Sequence, residues 1–178
     1  MKGEKTMDAL DLIREAKKGD REALIKLIMD KKEEYYRLAF AFMGNKEDSL
    51  DALQDMIVIL FANIKKLRDP ESFYSWSKKI LVNTCKNTLR KRKRVLPIGI
   101  DKEEEYIENY QSKELKHDIM TYLKRLNIHQ QEAIILRYFM DMDYETISRL
   151  TDVPEGTVKS RIFNGLAKLK RIIGGEYQ

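Results

Sequence analysis

Few side chains in this 178-residue sequence are of a type suited to covalent or metal chemistry. Cys85 is the single cysteine, which excludes an intramolecular disulfide and a cysteine-based zinc cluster. His117 and His129 are the only histidines, too few for a His-rich metal site. No P-loop and no nucleophile–base pair stands out, so an enzyme is not expected, and neither is a cofactor. Binding chemistry is better represented. Acids, amides, cations and aromatic rings recur at helical spacing in three places.

In the first set, Asp51, Gln54, Asp55, Val58 and Ala62 fall within roughly a 100° arc of one helix. The stripe Leu50, Leu53, Ile57, Leu60, Ile64 and Leu67 should be buried opposite them. Two readings fit this arc. Acids near a helix N-terminus suit a solvated face, whereas Val58 and Ala62 suit the edge of a protein partner. The second set begins at Trp76 and places Lys79, Ile80, Asn83, Asn87, Arg90 and Arg94 on one side. Tyr74, Leu81, Cys85 and Leu89 should be core, with Cys85 a small buried hydrophobe. Rings that stack on unpaired bases, amides that read their edges and cations that hold the backbone suit single-stranded nucleic acid. Core packing is the competing fate of Phe73 and Trp76.

The third set lies near the C-terminus. Tyr144 to Leu150 predicts a short helix, Thr151-Asp-Val-Pro154 a turn, and Glu155 to about Ile173 a second helix closed by Gly174-Gly175. Val158, Ile162, Leu166, Leu169 and Ile173 form its apolar stripe. Ser160, Phe163, Asn164 and Ala167 face away, with Lys159, Arg161 and Lys168 on the flanks. Small and amide side chains for base edges, flanked by cations for phosphates, suit a recognition helix in a major groove. Phe163 either meets thymine methyls or tucks into the edge of the core. An ordinary helical hairpin is the plainer alternative.

The elements that must position these sets are helical throughout, because apolar residues recur at three- and four-residue spacing and strand alternation is absent. Asp20 caps a helix from Arg21 toward Met43, interrupted near Asp30, and Gly44 follows as a C′ glycine. Asn45 with Asp48 opens the next helix to about Leu67, Asp69-Pro70 ends it, and Ser72 caps a third. Val95 to Gln111 changes composition and reads as a linker. A second block starts near Lys113, with caps at Asn127 and Asp143. The fold class is all-α: two small helical domains on a flexible linker, at 8–95, 96–112 and 113–175.

Composition agrees with a binding protein. Charged residues are 35% and apolar residues 43%, with a formal net charge of +5. The charge is segregated: Lys86 to Arg94 holds six basic residues and no acid, while Asp101 to Glu108 holds five acids and one lysine. A basic stripe of this kind is either a nucleic-acid footprint or a solvated face. The longest apolar run, Met56 to Ala62, is far short of the roughly 20 residues that span a bilayer. With no apolar stretch at the N-terminus, a cytoplasmic location is expected.

The chain resembles the bacterial sigma factors of the extracytoplasmic-function group, the minimal two-domain kind within the sigma-70 family. Glu47 to Asp55 is similar to that family's acidic Asp-x-x-Gln-Glu motif for binding core polymerase, with Asp55 in place of Glu. Phe73 to Asn87 resembles its promoter-melting helix, with Ser77 where leucine is common. Pro154 to Ile162 matches its reading helix. The resemblance implies that Asp51, Gln54, Asp55 and Val58 dock on core RNA polymerase. It implies that Arg68, Phe73, Trp76, Lys79, Asn83, Asn87 and Arg90 serve the melted minus-ten strand of promoter DNA. Thr157, Lys159, Ser160, Arg161, Phe163, Asn164 and Lys168 would serve the duplex minus-thirty-five element. An anti-sigma factor, often membrane-bound, is a further implied partner, without membrane insertion of this chain. A helix-turn-helix regulator that ignores polymerase is the alternative, and a nuclease using Asp51 and Asp55 as magnesium ligands a weaker one.

Overall fold

The computed structural model describes residues 8–95 and 119–176, and all regular structure among these is helical. The expected linker at 96–112 and the start of the second block at Lys113 lie outside the described residues. Packing divides the described residues into one unit of residues 8–40 with 45–85 and a second of 41–44 with 86–95 and 119–176.

Five helices build the first part of the chain: α1 (Ala9–Lys18), α2 (Arg21–Asp30), α3 (Lys32–Met43), α4 (Lys46–Asn63) and α5 (Phe73–Val95). Short polar side chains start them. Asp8 accepts from the Asp11 amide, Asp20 from those of Glu22 and Ala23, and Asn45 from that of Asp48, each satisfying amides that the first turn leaves unpaired. The interruption expected near Asp30 falls at Lys31, between α2 and α3. Gly44 follows α3 at φ +78°, a conformation that costs glycine little. In the first unit Ile13, Leu24, Leu27, Tyr35, Leu38, Met56, Leu60, Phe73, Leu81 and Cys85 are fully buried. Burying each such side chain stabilises by about 1.5–3 kcal/mol, which is what holds these helices together.

Two local expectations are corrected. The buried stripe of α4 starts at Ser49, Ala52 and Met56 rather than Leu50, Leu53 and Ile57, and Leu50 is 41% exposed. The Ser49 hydroxyl donates to the Asn45 carbonyl, so this face is small and self-satisfied there. From Leu60 through Ile64 to Leu67 the expected stripe holds. Ser72 does not cap α5: its hydroxyl donates to the Asp69 carbonyl at 2.7 Å, and Asp69 caps the tight turn Pro70–Ser72.

In the second unit, α6 (119–124), α7 (Ile128–Ile134), a π-helical turn (Ile135–Phe139), α8 (Tyr144–Thr151) and α9 (Glu155–Glu176) follow in order. Asn127 caps α7 and Asp143 caps α8, as their positions predict. Ile147 and Leu150 of α8 are buried, as are Val158 and Ile162 of α9. Between the two helices Asp152 turns left-handed at φ +53°, the Ser148 hydroxyl donates to the Val153 carbonyl, and the Pro154 carbonyl accepts from Thr157 and Val158. This is a helix-turn-helix. Further along α9 the stripe departs from expectation: Leu166 is exposed and Gly165 is buried in its place. A Cβ on Gly165 would stand 2.7 Å from Ile134 Cδ1 and 3.2 Å from Gln130 Cβ, so α7 approaches α9 closely at this glycine and a larger residue would have to displace those side chains. The helix also runs through Gly174-Gly175 to Glu176 instead of stopping there.

Candidate functional site

The first face stands on α4. Asp51, Gln54, Asp55, Val58 and Ala62 are all exposed, Val58 at 66%. Beside Val58 an open groove is lined by Leu24 and Ile25 of α2 and by Phe61 and Ile64, with Arg21 and Lys65 also on its wall. Ile25 is itself exposed. Such a mixture, acids along a ridge and apolar side chains in the adjacent hollow, suits a protein partner with a basic and apolar surface. Sequence spacing finds the ridge but misses Ile25, which reaches Val58 from α2, and Phe61, which lies on α4 just outside the arc.

The second face is the outer side of α5. Asn83, Asn87 and Arg90 are exposed, and Lys79, Ile80 and Trp76 are half-buried. Arg68 is exposed just before the turn that leads into the helix. Phe73 is a correction: it is 0% exposed, its ring meeting Tyr74 edge-on at 5.3 Å and Trp76 at 6.4 Å. As the first residue of α5 it is turned inward by the preceding tight turn, so its side chain belongs to the core. Tyr74, expected in the core, is half-exposed, with its hydroxyl 3.4 Å from Asp30. Ser77, Val82 and Thr84 are buried alongside Leu81 and Cys85. Burial pushes the Cys85 thiol up to about 12, and so rich a thiol form makes it inert.

The basic run is partly internal. Lys86 is 9% exposed, and its ammonium lies 2.9 Å from the buried Glu132 carboxylate within the second unit. Arg90, Lys91 and Arg92 are exposed. The side chain of Arg94 lies outside the described residues. Glu132 also has Arg161 at 4.0 Å and His129 Nδ1 at 3.8 Å. Partial burial, then the Arg161 charge, hold the His129 imidazolium below its ordinary range.

The third face is on α9. Lys159, Ser160, Phe163 and Asn164 are exposed, Phe163 at 73%, so its ring stands outside the domain core. Thr157 and Lys168 are half-buried. Arg161, placed on the flank by spacing, is turned toward Glu132, where its charge offsets a buried carboxylate. Around the start of the helix, Tyr144 has Lys159 Nζ 5.2 Å from its ring centroid and Arg137 Cζ at 5.5 Å. Sequence spacing misses Tyr144 and Arg137, because α8 and the π-helical turn bring them to α9 without any shared periodicity. Among the described residues no group of His, Cys, Asp or Glu is placed to hold a metal. No helix among them is long and apolar enough to cross a membrane.

Comparison with known proteins adds two family matches in chain order. Residues 27–95 match sigma-70 region 2, and residues 116–169 match sigma-70, region 4. The RNA polymerase sigma factor SigV of Bacillus subtilis is 35% identical over 150 residues, covering 84% of this chain and 89% of the relative. The ECF RNA polymerase sigma factor SigW of the same organism is 24% identical over 178 residues, covering 89% and 93%. Among solved structures, the sigma factor RpoE of Bartonella quintana, crystallised with the anti-sigma factor NepR, superposes with a TM-score of 0.66. It is 22% identical and covers 86% of this chain and 98% of that one, a likeness of fold.

Proposed function

Since this chain belongs to the extracytoplasmic-function group of the sigma-70 family, we propose a residue-level account of how it starts transcription. The protein is a sigma factor: it binds core RNA polymerase, recognises and opens promoter DNA, and directs initiation. Its work is binding rather than catalysis. Domain limits at 8–95 and 113–175, joined by 96–112, suit this division of labour.

On α4, Asp51, Gln54 and Asp55 steer the encounter with polymerase, and Val58 with the neighbouring groove of Ile25 and Phe61 supplies apolar contact. On α5, Asn83, Asn87, Lys79 and Arg90 hold the separated minus-ten strand, with Trp76 and Arg68 at its upstream edge. Phe73 supports that surface from beneath. Unpairing costs a few kcal/mol, and capture of extruded bases offsets it. On α9, Ser160, Phe163 and Asn164 meet base edges and thymine methyls of the minus-thirty-five duplex. Lys159, Thr157 and Lys168 hold phosphates, while Arg161 serves the helix from within. The protein acts in the cytoplasm, where an anti-sigma factor restrains it.

The observation that carries this reading is the co-occurrence, in family order, of an exposed acidic ridge, an exposed amide-and-cation face and a helix-turn-helix. The test is run-off transcription by bacterial core polymerase on a random promoter library. Specific transcripts that depend on the added chain are expected. Promoter binding without any transcript would favour a regulator that works apart from polymerase.

A further inference from the structure

We propose that Tyr144 is a positioning residue: its ring sets the Lys159 ammonium at the leading edge of α9 to meet a phosphate of the minus-thirty-five duplex. This rests on the reading of α9 as the helix that enters the major groove. Lys159 is exposed and has two neighbours, the Tyr144 ring at 5.2 Å and the Glu155 carboxylate at 3.6 Å. They act on the ammonium in different ways. A carboxylate cancels the charge that a phosphate needs, and DNA must displace it. An aromatic face attracts the cation through its quadrupole while leaving N–H groups free to donate.

The ring is itself held. Tyr144 is the first residue of α8, next to the Asp143 cap, and the buried Ile147 and Leu150 anchor that helix. Arg137 stands 5.5 Å from the ring, donates to the Met142 carbonyl at 3.0 Å and lies 3.8 Å from Asp141. Arg137 is thereby committed to the protein, and Lys159 is the cation of the pair that faces outward. A lysine on a four-carbon stem loses rotamer freedom when it grips a phosphate, and a ring that limits its excursions beforehand reduces that loss.

The test uses holoenzyme reconstituted from core polymerase and the full chain, with promoter binding followed across a KCl series. Each phosphate contact contributes about 0.9 to the slope of log K against log salt. Lys159→Gln should lower the slope by about 1. Tyr144→Leu should lower it equally and weaken binding about three- to tenfold at moderate salt, a loss in the range of one phosphate contact. Tyr144→Phe should restore the slope, and Tyr144→Leu should add nothing to Lys159→Gln. In the free protein, the ring-current shift of the Lys159 Cε protons should survive in Tyr144→Phe and vanish in Tyr144→Leu. An unchanged slope in Tyr144→Leu, or additive losses in the double variant, overturns the proposal. So does an unchanged slope in Lys159→Gln, with the sigma reading left standing. Wild-type holoenzyme without promoter-specific binding would instead bring down the reading of α9 itself.

Discussion

Ser77 occupies a position where the resemblance to sigma factors calls for leucine, and Tyr35 explains how a buried hydroxyl is tolerated there. The Ser77 hydroxyl donates to the Tyr74 carbonyl at 3.0 Å, so in the 2.6 Å contact with Tyr35 it is the phenol that donates. Both side chains are buried, and each has its partner. Tyr35→Phe should therefore cost about 1 kcal/mol, because Ser77 keeps the Tyr74 carbonyl. Ser77→Leu should cost more, about 2–3 kcal/mol, since it strands the phenol and adds volume to a filled site. The double variant should recover part of that loss in urea titrations, and simple additivity would argue against the pair. Burial pushes the Tyr35 phenol up to about 12 from its ordinary 10. A group whose pKa is raised by folding contributes stability that is full below the unfolded value and lost as pH climbs through the folded one. Alkaline unfolding between pH 10 and 12 should thus be shallower in Tyr35→Phe, the slope that remains including the Cys85 thiol, which burial also raises.

At the scale of elements, the approach of α7 to α9 depends on Gly165. Ala there gains roughly 1 kcal/mol of helix propensity, but its methyl would enter the space of Ile134 Cδ1 and Gln130 Cβ. Overpacking of this kind costs about 1–3 kcal/mol, so Gly165→Ala should destabilise on balance. Ile134→Val removes the nearest atom and should partly rescue it in thermal melts. Gly156→Ala, in the same helix with open space around it, should not destabilise. The same residue shows where sequence periodicity stops being informative. Caps at Asp20, Asn45, Asn127 and Asp143 are local chemistry and were legible, as were the turn at Asp152 and the outward faces of α4, α5 and α9. Large aliphatics dominate a helical stripe in sequence, so spacing puts Leu50 and Leu166 inside and gives no signal for the buried Ser49, Ala52 and Gly165. Small residues are buried where a neighbouring helix comes close, and that distance is a tertiary quantity. Phe73 and Arg161 depart from their helical angle for a related reason: a turn and a buried Glu132 decide where they point. Helical angle alone contains neither.

For the molecule as a whole, the proposed division of labour requires that polymerase docking and strand capture can be damaged separately. Asp55 lies on the exposed ridge of α4, and Asn83 is exposed on α5. Neither is in the buried core, so substitutions there act on contacts more than on stability. Asp55→Lys reverses a charge on the ridge and should weaken binding to core polymerase about tenfold or more. Whatever holoenzyme still forms should open promoters at a normal rate. Asn83→Ala should leave core binding and recognition of the duplex upstream element within about twofold, and slow open-complex formation about tenfold, the loss of one edge-reading contact to an unpaired base. The separation follows from tethering. If, as proposed, two weakly binding domains are joined by a linker, the second contact becomes an intramolecular one, and duplex recognition should persist when strand capture fails. Permanganate footprinting of unpaired thymines reads opening, and fluorescence anisotropy with labelled core reads docking. Equal losses in both assays for Asn83→Ala would mean that α5 is a structural support whose outer face touches no strand.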